Sequence, residues 1–150
     1  MNTDENKKGT DKILQLVSFN IGDEQFGVNI LAVQEIIRFM NVTKVPNSPV
    51  FVDGVINLRG KVIPIMDLRA RMGLDRREHD KSTRIVIVDV NGKIAGFVVD
   101  SVSEVLRIPA SLTETPPELA TGVAETFIDS IVRLEDNIII LLDLERVLEF

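Results

Sequence analysis

Residues 55–68, VINLRGKVIPIMDL, read as two apolar runs folded about Arg59-Gly60-Lys61 and closed by Asp67. Alternating, β-branched residues on both sides of a glycine-bearing turn make the pattern of a β-hairpin. Asp67 precedes LRARM and then Gly73, so it is placed to cap a short helix that the glycine ends. The same series returns at 131–144, IVRLEDNIIILLDL, with Asp143 in the place of Asp67. The closing LERVLEF is therefore expected to be a second capped helix. A further correspondence sets GVNILAVQEIIR (27–38) beside GFVVDSVSEVLR (96–107), matching Gly27 with Gly96, Val33 with Val102, Glu35 with Glu104 and Arg38 with Arg107. Two matches in the same order indicate a duplicated β-unit. The change of spacing between them falls in the loop 109–127, which carries Pro109, Pro116 and Pro117.

Outward from these repeats, 13–21 (ILQLVSFNI) and 25–30 (QFGVNI) read as strands about the turn Gly22-Asp23-Glu24. Residues 31–38 predict one helical turn running into a strand. Ser48-Pro49 resembles an N-cap followed by proline at the first helical position, predicting a short helical turn over 49–53 before Gly54. Residues 74–82 (LDRREHDKS) form a charge-dense linker, and 83–90 and 93–99 form a hairpin about Asn91-Gly92. About five short strands in each half suit a small closed barrel, which leaves no free strand edges. The expected class is mainly β: residues 1–12 a polar tail, and 13–150 one domain of two pseudo-repeated halves, roughly 13–73 and 82–150. Halves of this size bury little core alone, so they should share an apolar one. Exchange of strands between them is left open.

The chain has 150 residues, 45% hydrophobic and 27% charged, with 23 acids against 17 bases and a net charge of −6. It has no Cys, Trp or Tyr and a single His. A disulfide framework, a thiol nucleophile and a Cys-based zinc site are excluded, and His79 alone cannot supply a two-His metal site. The basic surplus and stacking aromatics typical of nucleic-acid binding are missing. No apolar run approaches a membrane span, and the N-terminus lacks the apolar core of a signal peptide, so a cytoplasmic protein is expected.

Catalytic motifs are weak. GVINLRGKV (54–62) has five residues between its glycines instead of the four of a phosphate loop, and Val62 stands where Ser or Thr would hold magnesium. His79 sits among Glu78 and Asp80 as a solvated side chain would. Asp67 and Asp143 are explained as helix caps, and no nucleophile–base pair is evident. Arg59 is more informative, because its repeat counterpart is Glu135; duplication did not fix a base there. It is either a solvated turn residue or the partner of Glu35 in an ion pair that shapes a contact surface. Ile30, Val33 and Ile36 read most simply as core; if partly exposed, they would form an apolar patch rimmed by Glu35 and Arg59 that marks a partner site.

The runs GDEQFGVNILAVQEI (22–36), VDGVINLRGKVIPIMDLR (52–69), GFVVDSVSEVL (96–106) and LLDLERVL (141–148) closely resemble the CheW family of chemotaxis coupling proteins. The resemblance covers residues 13–150. It implies two SH3-like five-stranded barrels around a shared core, no catalysis and no cofactor or metal. It also implies two partners: the histidine kinase CheA, and the cytoplasmic tips of methyl-accepting chemoreceptors, with membrane association only through those receptors. The family's kinase contact matches Ile30, Val33 and Glu35, with Ile36 in the same patch. Its receptor contact lies in the groove between barrels and matches Gly54, Gly96 and Val105, and Arg59 is the family's NLRG arginine, pairing with Glu35. Glycines at Gly54 and Gly96 are expected to let a receptor helix approach the backbone. Arg84 departs from the family, where an apolar residue is common. The competing class is a small-ligand sensor that binds a nucleotide-like molecule between the barrels.

Overall fold

The computed structural model describes residues 12–115 and 125–149. Eleven strands run in the order β1 (Ile13–Ile21), β2 (Glu24–Asn29), β3 (Val33–Arg38), β4 (Val52–Leu58), β5 (Lys61–Asp67), β6 (Arg84–Val90), β7 (Lys93–Val99), β8 (Ser101–Pro109), β9 (Thr113–Glu114), β10 (Ile128–Arg133) and β11 (Ile138–Leu142). Two short helices, α1 (Leu68–Arg71) and α2 (Leu144–Val147), follow β5 and β11. The expected tail lies outside the described residues except for Lys12, as do Pro116 and Pro117.

The turn chemistry sets the hairpins. Arg59 and Gly60 (φ 52° and 86°) and Asn91 and Gly92 (φ 54° and 85°) each put two successive residues in the left-handed region. That geometry matches the twist of tightly joined strands. Asp67 accepts from the Ala70 N–H (3.0 Å) and Asp143 from the Arg146 N–H (3.2 Å), so both caps form as the repeat predicts. The expected helical turn running into a strand is a 3-10 turn at Ile30–Ala32 followed by β3. The expected helix over 49–53 is absent. Only a single turn forms, closed by Val52 N–H to the Pro49 carbonyl, and the Ser48 hydroxyl donates backward to the Val45 carbonyl instead of capping.

The strands form two sheets, one ordered β8-β1-β2-β11-β10-β9 and the other β3-β6-β7-β5-β4. Each draws strands from both halves of the sequence. Most neighbours are antiparallel, but β2 pairs with β11 and β5 with β7 in parallel. In the larger sheet the end strands β8 and β9 are joined by only the 3-10 turn Ala110–Leu112, which obliges the sheet to curl. In the smaller sheet the chain leaving β3 crosses to the far end, where Thr43 pairs with Val55 of β4.

Curling gives each central strand two buried faces. In β6, Ile85 and Ile87 enter a core made by the smaller sheet alone, while Val86 and Val88 enter the large core between the sheets. In β11, Ile139 and Leu141 enter the core of the larger sheet and Ile140 and Leu142 the shared one. Burial on both faces explains why these strands read as unbroken apolar runs. Phe19 anchors the shared core, stacked on Phe26 (5.9 Å between centroids) and tilted against Phe97 of the opposite sheet (5.6 Å). Such ring pairs add roughly 0.5–1.5 kcal/mol beyond the area they bury.

Because β3 and β5 find their partners in β6 and β7, a fragment ending at residue 73 should not fold. Circular dichroism of that fragment should lack a cooperative thermal transition, which should return when residues 74–150 are added.

Candidate functional site

The β3 segment and the β4–β5 hairpin tip meet. The guanidinium of Arg59 donates to a carboxylate oxygen of Glu35, and this contact links strands from opposite ends of the smaller sheet. The hydrogen bond that Arg59 donates to Glu35, and then the Glu35 charge, raise the Arg59 pKa. Arg59 remains 69% exposed, so the pair is solvated and not buried, and its worth lies in geometry more than in stability. Arg59 also occupies a left-handed backbone position that costs a side-chain-bearing residue about 1 kcal/mol. The equivalent site in the other hairpin is Asn91, a residue that tolerates it.

Ile30, Val33 and Glu35 are half-buried beside this pair, and Ile36 is 38% exposed. Ile30 and Val33 pack against the shared core. Ile30 and Val33 are thus core on one side and surface on the other. Leu31, on the turn before β3, stands 90% exposed.

The glycines are placed differently from expectation. Gly54 is buried at φ 143°, and a Cβ there would lie 2.0 Å from the Thr43 carbonyl oxygen. The room beside it is occupied by the chain's own backbone, so it offers no approach to a partner. Gly96 lies inside β7, opposite Ile65 in the parallel pairing; a Cβ would sit 2.7 Å from Ile65 Cδ1 and 2.9 Å from Ile85 Cγ2. Its glycine is required by internal packing. Val105 is 52% exposed on β8 and opposite Val17, which places it on the face turned toward the second sheet, at its open margin. Arg84 turns its guanidinium back onto the carbonyls of Lys81 (2.8 Å) and Thr83 (2.9 Å).

Three polar constellations escaped the sequence reading. Asp100, at the bend between β7 and β8, accepts from Arg69 Nε (3.0 Å) and Nη2 (2.6 Å), from Arg77 (2.9 Å) and from the Gly22 N–H (2.7 Å). Burial pushes its carboxyl up, but these donors outweigh it and hold the pKa down at about 2. Arg71 lies between the rings of Phe51 (4.4 Å) and Phe127 (4.8 Å) and donates to the carbonyls of Arg146 (3.1 Å) and Val147 (2.9 Å) at the end of α2. Extending the repeat back from residue 55 would have paired Phe51 with Phe127. Third, Asp53, Asp67 and His79 bring ligand atoms within 4.8 Å of one another. Arg76 already bridges the two carboxylates, at 2.6 Å from Asp53 and 3.4 Å from Asp67, and supplies the cation. His79 is exposed and lies against Phe39, with 3.8 Å between ring centroids.

No described helix is long and apolar enough to cross a membrane. What the fold presents is two sheets locked across a common core, with half-exposed apolar positions at their margins and with Asp67 and Asp100 committed to a helix cap and to arginines. A family model described as "CheW-like domain" matches residues 15–150, and the chain belongs to the CheW family of non-enzymatic chemotaxis scaffold proteins. It is 35% identical to a chemotaxis protein CheW of Klebsiella aerogenes over 134 residues, covering 89% of this chain and 81% of that one. It is 37% identical to a probable chemotaxis protein CheW of Rhizobium etli over 131 residues, covering 87% and 84%. The crystal structure of the scaffolding protein TtCheW from Thermoanaerobacter tengcongensis superposes with a TM-score of 0.86 at 37% identity, covering 93% of this chain and 94% of that one. That likeness bears out the mainly β, CheW-like class, with the two expected five-stranded units present as packed sheets of six and five strands among the described residues.

Two outcomes follow. The depressed pKa of Asp100 contributes stability that is complete above about pH 5 and is lost as the pH falls toward 2. Asp100→Asn should lower Tm at pH 7 and flatten the fall of Tm between pH 5 and 2, measured by differential scanning fluorimetry. Arg59→Asn should relieve the left-handed strain and leave stability equal or up to about 1 kcal/mol higher in urea titrations, while breaking the contact to Glu35.

Proposed function

We propose that this protein couples chemoreceptors to a histidine kinase in the cytoplasm, holding both in one assembly without chemistry of its own. The observation that carries the reading is the surface joining Ile30, Val33, Glu35 and Ile36 on β3 and its preceding turn to Arg59 on the hairpin tip. The partly exposed apolar side chains and the solvated ion pair share this edge strand, Val33 and Ile36 on the face of Val88 and Val86 and Glu35 on the face of Ile87. Small apolar anchors with one charged neighbour suit a specific and reversible protein contact. The regulatory domain of CheA, itself CheW-like, fits this surface as its partner.

The receptor tip is assigned to the margin between the sheets, with Val105 as the contact residue. Gly54 and Gly96 act on that margin indirectly, Gly54 by seating the Thr43 segment against β4 and Gly96 by admitting Ile65 at the β5–β7 joint. The net charge of −6 disfavours an anionic bilayer, so the route to the membrane runs through receptors. The small-ligand alternative finds no support: an open cleft of about 560 Å³ between the two halves carries Asp89, Asp129, Asp143 and Glu145, the wrong charge for a nucleotide.

Ile36→Glu should weaken binding to the CheA regulatory domain by about tenfold or more, in the range of a single interface anchor. Tm should stay within a few degrees because this side chain is already partly in water. Val105→Glu should weaken capture by receptor arrays and spare the kinase. Calorimetry for the first and co-sedimentation with receptor membranes for the second check the assignment; equal loss of both partners in either variant would merge the two surfaces into one.

A further inference from the structure

In a chain with six excess negative charges, one cleft is basic. It has a volume of about 520 Å³ and is lined by Arg38 at the end of β3, Arg84 at the start of β6, Lys81, His79 and Phe39. Arg38 and Arg84 stand directly opposite each other in the β3–β6 ladder, where like charges repel and destabilise the pairing. The one acid in the lining, Asp80, is already committed: its carboxylate accepts from the Ser82 N–H (2.8 Å) and pairs with Arg77 (3.3 Å). Among the described residues no carboxylate pairs with Arg38, Lys81 or Arg84. The carbonyls of Lys81 and Thr83 hold the Arg84 guanidinium in place, and the Phe39–His79 stack lies beside it.

We propose that this cleft docks a carboxylate-rich segment of a partner protein, an inference that rests on the scaffold reading and adds to it the chemistry of one contact. Two guanidiniums on one face suit carboxylates, and their mutual repulsion is relieved only when an anion sits between them. A segment carrying several carboxylates is favoured over a free small anion because most of the lining residues are exposed. A small anion would stay hydrated there, whereas tethered carboxylates add their contacts. The cleft also continues the proposed partner surface, since Ile36 precedes Arg38 by two residues on the same face of β3. The occupant is therefore an acidic stretch flanked by an apolar residue.

The test is fluorescence anisotropy of the full chain with a labelled oligoglutamate peptide. Binding should weaken steeply with salt, and Arg38→Gln should reduce affinity by about tenfold, the range of one lost charge-assisted hydrogen bond. Arg107→Gln should leave it unchanged, because Arg107 is the exposed repeat counterpart of Arg38 and lies opposite uncharged Gln15. Tm of Arg38→Gln should equal or exceed that of the wild type, since a repulsion is removed. Equal loss in both variants, absence of binding, or displacement of the peptide by equimolar inorganic phosphate would overturn the proposal. Kinase and receptor binding of the wild-type chain, measured separately, decide the scaffold reading itself.

Discussion

The fold turns on two parallel joints, β2 with β11 and β5 with β7. Each brings a strand of one half against a strand of the other, and each depends on a glycine. At the first, Gly27 lies opposite Leu141; at the second, Gly96 lies opposite Ile65. A Cβ at Gly27 would come within 3.2 Å of Leu141, and one at Gly96 within 2.7 Å of Ile65. The missing side chain lets a large apolar residue from the neighbouring strand enter the sheet's own core while the opposite face closes onto the shared one. Strand exchange follows, and with it the interdependence of the halves. Neither sheet can be completed by residues from one repeat, so the surfaces on both sheets are held in a fixed relation.

Much of this was legible because duplication writes the same physics twice. The capped helices, the two hairpin turns and the sites of Gly27 and Gly96 follow from local chemistry that recurs in the sequence. The exchange of strands was not legible, because a two-residue periodicity records which faces are buried and not which strand lies alongside. For the same reason Gly96 was assigned to a partner's approach when its space belongs to Ile65. The missing helix at 49–53 has a local cause: the chain from Pro49 must turn at once into β4 so that Phe51 can offer its carbonyl to the Asp67 N–H at 2.8 Å. That bond has its counterpart in Phe127 and Asp143 (2.9 Å), so the requirements of the repeated unit overrode a helix-start signal. Asp100 was invisible for another reason: nothing in one aspartate at a strand bend announces that Arg69 and Arg77 converge on it from 31 and 23 residues away.

Where the two copies diverge, they acquire their separate roles. Leu31 in the first copy corresponds to Asp100 in the second; one is an exposed apolar side chain, the other the centre of a half-buried charge network. Arg59 corresponds to Glu135, and only Arg59 reaches across to a carboxylate on β3. Arg71 corresponds to Val147, and its guanidinium sits between the equivalent rings of Phe51 and Phe127. Burial lowers the Arg71 pKa against the opposing charge of Glu149, and helix-end carbonyls and two ring faces also surround the guanidinium. An approximately symmetric scaffold thus carries asymmetric surfaces.

The placement of charge follows the same logic. Strong ion pairs are concentrated where they fix one segment to another: Arg69 and Arg77 on Asp100 tie α1 and the linker to the β7–β8 bend, and Arg76 on Asp53 ties the linker to β4. These pairs make 74–82 part of the frame although it contains no regular structure. Among the described residues Arg38 on β3, Arg84 at the start of β6 and Arg107 on β8 pair with no carboxylate, and they lie on or next to the strands that carry the half-exposed Ile36 and Val105. Electrostatics inside the frame maintains the geometry, and uncompensated charge at its edge is available for recognition. A scaffold needs both, since its partners are held in register only if their docking sites do not move relative to one another.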